Sequence, residues 1–132
     1  MIIGIGIDLV DMRRIGAVRE RHGMRFEQRL FTDDERRFCH GRADVVAAFA
    51  RHYAFKEAAS KALGTGFRQG VAWRDLELCR EAGRKPFARF HGGALVRLGV
   101  LLPEGYDAEV HISISDEPPY ATAQCLIEAR RL

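Results

Sequence analysis

Cysteine is scarce and scattered in this chain. Its three copies, Cys39, Cys79 and Cys125, lie far apart and follow no C-x-x-C spacing. An odd, dispersed set argues against a disulfide framework and against a zinc site, and predicts reduced thiols in a cytoplasmic protein. Long apolar runs are missing too, since nothing approaches the roughly 20 residues of a membrane span. Met1 to Val10 is apolar, but no basic residue precedes it and Asp11 and two arginines follow, which is not the layout of a secretory signal. There is no internal repeat, low-complexity tract or linker, so residues 1–132 read as one domain, long enough to bury a core without staples. Several enzyme signatures are absent: Walker A, G-x-G-x-x-G after a strand, G-x-S-x-G and H-E-x-x-H. The early G-I-G-I-D lies inside a strand, so it is no dinucleotide fingerprint.

What is present is a soluble balance of 47% hydrophobic and 30% charged residues, with a net charge of +3. The charge is uneven. Residues 12–30 hold six arginines (13, 14, 19, 21, 25, 29) against Glu20 and Glu27, a local +4. Such a patch suits an acidic partner or ligand, or is simply a solvated helix face.

The first ten residues, MIIGIGIDLV, alternate. Ile3, Ile5, Ile7 and Leu9 fall on one side, Gly4, Gly6 and Asp8 on the other. The bare side would admit another backbone or a ligand, with Asp8 beside the cleared space. A helix is expected over 11–22, and a short one from the Thr32/Glu35 capping box to about 39. A long central helix is expected over 43–63, where Ala47, Ala50, Ala54, Ala58 and Ala62 recur at helical spacing and Gly64 supplies the stop. Then come a strand pair, DLELCR and KPFARFHG, a helix in GALVRLGVLL, and strands AEVHISIS and Tyr120 to Ile127 joined by DEPP. Strand, helices, then mostly strands predicts an α+β fold, an antiparallel-rich sheet packed on the long helix.

HYAFKEAASKALGTG, residues 52–66, carries the chemistry. Glu57, Ser60, Lys61 and Gly64 share a helix face at i, i+3, i+4 and i+7. Glu57 and Lys61 read as an ordinary surface pair, or as a carboxylate and a cation leading into a Gly64-Thr65-Gly66 turn able to offer N–H groups to phosphate. Asp8 either caps the next helix or joins Glu57 in holding Mg²⁺, which favours one or two carboxylates plus phosphate oxygens and water. His111 and Ser113 lie on the polar side of their strand, and GRKP (Gly83 to Pro86) is a basic turn that could touch phosphate.

Four segments in this order, GIGIDLVDMRRI, YAFKEAASKALGTG, RKPF and VHISISDEPPYATAQCLIE, resemble the holo-acyl-carrier-protein synthases, the short bacterial type of 4′-phosphopantetheinyl transferase, from about residue 2 to about 128. The resemblance implies transfer of 4′-phosphopantetheine from coenzyme A to a serine of an apo-acyl carrier protein, releasing adenosine 3′,5′-bisphosphate, in support of fatty acid biosynthesis. It implies that Asp8 and Glu57 bind Mg²⁺ and that Lys61 joins them as a catalytic residue. Ser60, Gly64, Thr65, Gly66, Lys85, Pro86, His111 and Ser113 would lie along coenzyme A. An acidic carrier protein would dock on Arg14, Arg21, Arg25 and Phe26, which form one face if the first helix persists that far. It further implies a homotrimer with sites between subunits. His52, Tyr53 and Phe55 stand where the family usually shows arginine, an aromatic and a small residue. A coenzyme A contact made by that arginine would pass to another residue, with Arg51 the nearest. The rival readings are a Mg²⁺-dependent phosphohydrolase using the same carboxylates and a basic nucleic-acid-binding module.

Overall fold

The computed structural model describes residues 1–132. In chain order the elements are β1 (Ile2–Asp11), α1 (Met12–His22), α2 (Met24–Leu30), α3 (Asp33–His40), α4 (Val45–Ala62), a single 3₁₀ turn at Trp73–Asp75, β2 (Leu76–Cys79), β3 (Phe87–Phe90), α5 (Gly92–Leu101), β4 (Tyr106–Glu117) and β5 (Tyr120–Arg131). The expected α+β arrangement holds. β1, β5 and β4 form an antiparallel sheet in that order, β2 and β3 form a separate hairpin, and α4 lies across β1 and β5.

α4 starts where the Asp44 side chain accepts from the Ala47 N–H at 3.0 Å. Its alanines are the best helix formers and the smallest side chains that keep a Cβ. Ala47, Ala50, Ala54, Ala58 and Ala62 are all buried, as their spacing predicted. The glycine face of β1 meets this stripe. A Cβ on Gly4 would collide with the Ala62 carbonyl oxygen, and one on Gly6 with the Ala58 carbonyl oxygen. The cleared space beside the glycines is therefore filled by helix backbone, and no ligand has room there. The greasy side of β1 faces outward: Ile5, Ile7 and Leu9 are 57%, 63% and 67% exposed.

Two further points extend the sequence reading. The first helix stops at Gly23, whose φ of +53° suits glycine, and a separate α2 follows. That short helix went unread because MRFEQRL has no side-chain N-cap to announce it. The Thr32/Glu35 capping box forms as expected (Glu35 N–H to Thr32 Oγ1 3.2 Å, Thr32 N–H to Glu35 Oε1 2.9 Å). Glu35 does more than cap, because its Oε1 also sits 2.8 Å from the Lys56 Nζ, both side chains being wholly buried. Lys56 spends its other protons on the carbonyls of Trp73 (3.0 Å) and Leu76 (2.7 Å), and Glu35 Oε2 accepts from the Leu78 N–H at 3.0 Å. The lysine next to Glu57 is thus a structural tie between α4, α3 and the β2–β3 hairpin.

Candidate active site

Asp8 reaches from the end of β1 towards α4, and Lys61 reaches back from α4 to meet it. Lys61 Nζ lies 3.1 Å from Asp8 Oδ1 and 3.0 Å from the Ile7 carbonyl oxygen. The lysine's ion pair is therefore with Asp8 across the seam, and Lys61 is no simple surface partner of Glu57. β1 is held here by the Thr122 hydroxyl, which donates to the Asp8 carbonyl at 2.8 Å. Glu57 stands one turn before Lys61, half-buried. Burial first, and then the Asp8 charge, push its carboxyl above the usual range, against the pull of Lys61, a Tyr53 hydrogen bond and Arg14. Asp8 and Glu57 thus sense each other's charge, with Lys61 paired to Asp8 and Arg14 near Glu57. An all-oxygen, partly exposed donor set of this kind fits a hard divalent cation such as Mg²⁺.

Ser60 and the glycine turn are placed differently from expectation. Ser60 is buried and donates its hydroxyl to the Glu57 carbonyl at 2.8 Å. The Gly64 N–H goes to the Lys61 carbonyl (3.0 Å) and the Gly66 N–H to the Ser60 carbonyl (3.1 Å), while the Thr65 hydroxyl is turned onto the Gly66 carbonyl at 2.8 Å. The turn's glycines take φ of +79° and +58°. These groups close the C-terminus of α4, so as arranged here the turn is a helix cap and does not present a nest of free N–H groups.

The other expected residues gather elsewhere. Lys85, Pro86, His111 and Ser113 line one groove of about 560 Å³ together with Arg51, Arg80, Arg84 and Phe87. Arg84 lies with its guanidinium 3.9 Å from the Phe87 ring centroid. Burial, then the charges of Arg51 and Arg42, press the Arg80 guanidinium below its ordinary range. Crowded cations beside an open groove are a receptor for a polyanion. Arg51 is held by Asp116 at 2.9 Å and His111 by Glu128 at 3.0 Å. Arg51 thus lines the same groove as Lys85 and His111. His52 cannot share that task, because it is 1% exposed and turned inward. Arg84 belongs to the GRKP turn that the sequence offered as a phosphate contact, whereas Arg80 went unread; both lie in the β2–β3 connection that carries Lys85.

Arg14, Arg21 and Arg25 are all exposed, but the break at Gly23 puts Arg25 on α2, so they do not form the single continuous helix face expected. Arg14 donates to the Tyr53 hydroxyl at 3.2 Å, which brings it to the edge of the carboxylate site. Phe26 is half-buried and meets the buried Phe31 edge-on at 5.7 Å. With His22, Arg25, Arg29, Leu30 and Trp73 it lines a groove of about 450 Å³ that combines basic and apolar side chains.

The strand register sets these parts on two sides of the sheet. Asp8 pairs with Ala123 and Ala123 with Ile114, whereas Ser113 pairs with Gln124 and Gln124 with Ile7, and His111 pairs with Leu126 and Leu126 with Ile5. Cross-strand partners share a face and successive residues alternate. Asp8 therefore faces α4, while His111 and Ser113 share the open face with Ile5 and Ile7. They also lie on opposite edge strands.

Comparison with known proteins agrees with this architecture. Residues 4–123 match the family model of the 4′-phosphopantetheinyl transferase superfamily. The chain is 51% identical over 129 residues to the holo-[acyl-carrier-protein] synthase of Methylobacterium radiotolerans, covering 98% of this chain and 95% of that one. It is 50% identical over 133 residues to the synthase of Bradyrhizobium diazoefficiens, with 98% and 96% covered. The crystal structure of the Neisseria meningitidis synthase superposes with a TM-score of 0.83 at 33% identity, covering 97% and 99%. That of Bacillus anthracis, in complex with coenzyme A (3′,5′-ADP), gives 0.76 at 30% identity, covering 98% and 99%. By the family model over residues 4–123 and relatives about 50% identical over nearly their whole length, the chain belongs to the 4′-phosphopantetheinyl transferase superfamily, among its holo-[acyl-carrier-protein] synthases.

Proposed function

We propose that this protein transfers 4′-phosphopantetheine from coenzyme A to a serine hydroxyl of an acidic apo-acyl carrier protein, with Mg²⁺ held by Asp8 and Glu57, and so serves fatty acid biosynthesis in the cytoplasm. The observation that carries the reading is a pair of interacting carboxylates, Asp8 and Glu57, in the same chain as a separate groove of crowded cations. One would suit a divalent ion beside a diphosphate. The other suits the remaining phosphate of coenzyme A.

The residues divide the work accordingly. Arg51, Arg80, Arg84 and Lys85 neutralise the nucleotide end, and His111 and Ser113 add hydrogen-bonding groups along the same groove. Lys61 sets a fixed cation beside Asp8, where phosphoryl oxygens gain charge during attack. Asp8 and Glu57 are the groups of the site able to accept the serine proton. When bound, the divalent ion screens the diphosphate and the departing bisphosphate. The groove lined by His22, Arg25, Arg29, Phe26 and Trp73 complements an acidic carrier with apolar side chains, with Arg14 and Arg21 adding positive charge nearby. No helix of the chain is long and apolar enough to cross a membrane.

We further propose a homotrimer with sites between subunits, a reading that the two-sided layout supports. One chain holds Asp8 and His111 on opposite faces and opposite edges of its sheet. A neighbour covering the exposed Ile5, Ile7 and Leu9 would bury that apolar patch and bring one chain's His111 side towards another's carboxylates. A phosphohydrolase would need neither the carrier groove nor the cationic groove, and a nucleic-acid module would not place two carboxylates beside its cations.

The test is the intact mass of an apo-acyl carrier protein after incubation with this protein, coenzyme A and Mg²⁺. One added phosphopantetheine, lost with EDTA and with Glu57→Gln, is the expected result. An unmodified carrier, with coenzyme A merely hydrolysed, would give the phosphohydrolase reading instead.

A further inference from the structure

His111 makes one side-chain hydrogen bond, and its partner is Glu128. Their strands are neighbours, with Glu109 paired to Glu128 and His111 to Leu126, so Glu109, His111 and Glu128 share the open face of the sheet. His111 Nε2 lies 3.0 Å from Glu128 Oε1. An ionised carboxylate can only accept, so the proton of that bond sits on Nε2. Nδ1 is then the free nitrogen, and it makes no hydrogen bond within the protein. The bond at one ring nitrogen sets what the other can offer. With a second proton the ring donates from both ends, from Nε2 to Glu128 and from Nδ1 to a phosphate oxygen.

Charged groups reach His111 from three sides. Its groove is lined by Arg51 of α4 and by Arg80, Arg84 and Lys85 of the β2–β3 connection, all of which oppose a further positive charge. Against them stand Glu109 and Glu128. Arg130 Nε bridges these two, at 2.6 Å from Glu109 Oε2 and 3.3 Å from Glu128 Oε1, the oxygen that also holds His111. One guanidinium between two carboxylates leaves one negative charge unbalanced beside the imidazole. Carboxylates directly opposite on adjacent strands are an unfavourable pair that a neutral residue at 128 would relieve. Glu128 is also outside the lining of the groove. What it does for a ligand there it does through His111 or by charge alone, and the two routes differ in sign. A negative charge near a polyanion repels it, so charge alone predicts that removing Glu128 tightens binding. A carboxylate that holds an imidazole ready to donate does the reverse.

We propose that Glu128 is a positioning residue for coenzyme A binding: it anchors His111 by Nε2 and serves as its counter-ion, so that Nδ1–H is presented to a phosphate oxygen of the ligand. The inference rests on the reading of the cationic groove as the site of the nucleotide end of coenzyme A. Glu128→Gln keeps the shape and removes both functions, since an amide carries no charge and can either accept from Nε2–H or donate to a bare Nε2. Losing a hydrogen bond to a charged ligand group is expected to weaken affinity roughly tenfold.

The experiment is calorimetric titration of coenzyme A into the full chain, with Mg²⁺ and no carrier protein, for wild type, Glu128→Gln, His111→Ala and the double variant. Each titration is run above the usual histidine range, at a pH of about 8, in two buffers of different ionisation enthalpy, which counts the protons taken up on binding. Thermal melting is run alongside. Support is proton uptake by wild type that is lost in His111→Ala and reduced in Glu128→Gln. Affinity should be roughly tenfold weaker in Glu128→Gln with no fall in melting temperature, and the double variant no weaker than His111→Ala. Unchanged or tighter binding by Glu128→Gln, with His111→Ala impaired, overturns the inference and leaves His111 in the groove. Losses that add in the double variant, or equal proton uptake in Glu128→Gln and wild type, overturn it too, because Glu128 would then act apart from His111. His111→Ala that binds as tightly as wild type overturns the inference alone, whereas wild type that binds no coenzyme A overturns the proposed function with it.

Discussion

His52 should make this protein lose stability as pH falls through the range where histidine ordinarily titrates. The side chain is 1% exposed. Its Nδ1–H donates to the Ala48 carbonyl at 2.9 Å, with Cys39 Sγ 3.5 Å away, and Nε2 is buried without a partner. A proton on Nε2 would gain no hydrogen bond and would face Lys56, Arg80 and Arg51. Burial, against the pull of the Ala48 carbonyl and reinforced by those cations, lowers the pKa from 6.5 to about 3. Below pH 6.5 the unfolded chain takes up a proton that the folded chain refuses, so unfolding becomes easier by about 1.4 kcal/mol per pH unit. From pH 6.5 to pH 5 that comes to about 2 kcal/mol. Glu57 works in the opposite sense, because its raised carboxyl favours the folded state as pH falls. Glu27 and Glu77 are held below 4.5 and start to act only at lower pH. The clean measurement is therefore a difference, with urea unfolding of wild type and His52→Gln at pH 7, 6 and 5. The wild type should lose about 2 kcal/mol more than the variant over that span, whatever the variant's stability at pH 7. Parallel pH profiles would refute the reasoning, since they would mean that the folded chain accommodates a charged His52.

The same logic gives four further outcomes. Lys56→Met leaves Glu35 buried with a charge and no counter-ion, and should cost about 3–5 kcal/mol in urea unfolding; Lys56→Met with Glu35→Leu should cost clearly less than the two single losses together. Gly6→Ala drives a methyl into the Ala58 carbonyl and should cost about 3 kcal/mol, whereas Gly105→Ala, with φ +82° but open space, should cost nearer 1 kcal/mol. Arg51→Ala and Arg84→Ala should each raise the coenzyme A KM by roughly tenfold while leaving kcat within about threefold, since they act on the nucleotide end and not on the reacting phosphate. Ile7→Glu puts a charge on the exposed apolar strand face; sedimentation should show wild type as the larger, trimeric species and the variant as monomer.

How much of this could be read from the sequence depends on whether the signal was local. The α4 alanines, the Thr32/Glu35 box and the alternation of β4 are local patterns, and each gave the element found. Asp8, Glu57 and Lys61 were singled out with the help of family resemblance, and only the fold shows that Lys61 pairs with Asp8. Three features were not local. Which face of β1 is buried depends on a helix some fifty residues away whose backbone needs glycines opposite it. Lys56 looks like a surface charge until Glu35 is brought beneath it. Arg80 and Arg84 become a site only when the β2–β3 hairpin folds against the β4 edge.

The position of the carboxylates explains why so small an enzyme keeps its glycines where they weaken a strand. Glycine inside β1 carries an entropic cost that alanine would avoid. In return the backbones of β1 and α4 approach closely enough for Asp8 on one and Lys61 on the other to meet at 3.1 Å. Any side chain at Gly6 must push the two elements apart, and it does so two residues from Asp8 and within a turn of Glu57 on the facing helix. A displacement of about 1 Å in reacting groups is enough to cost roughly 100-fold in rate. On the catalytic roles proposed for Asp8 and Glu57, the close seam would govern catalysis as well as stability. A Gly6→Ala protein rescued to wild-type stability by changes elsewhere should remain slow, because the added stability would not restore the Asp8 to Glu57 spacing.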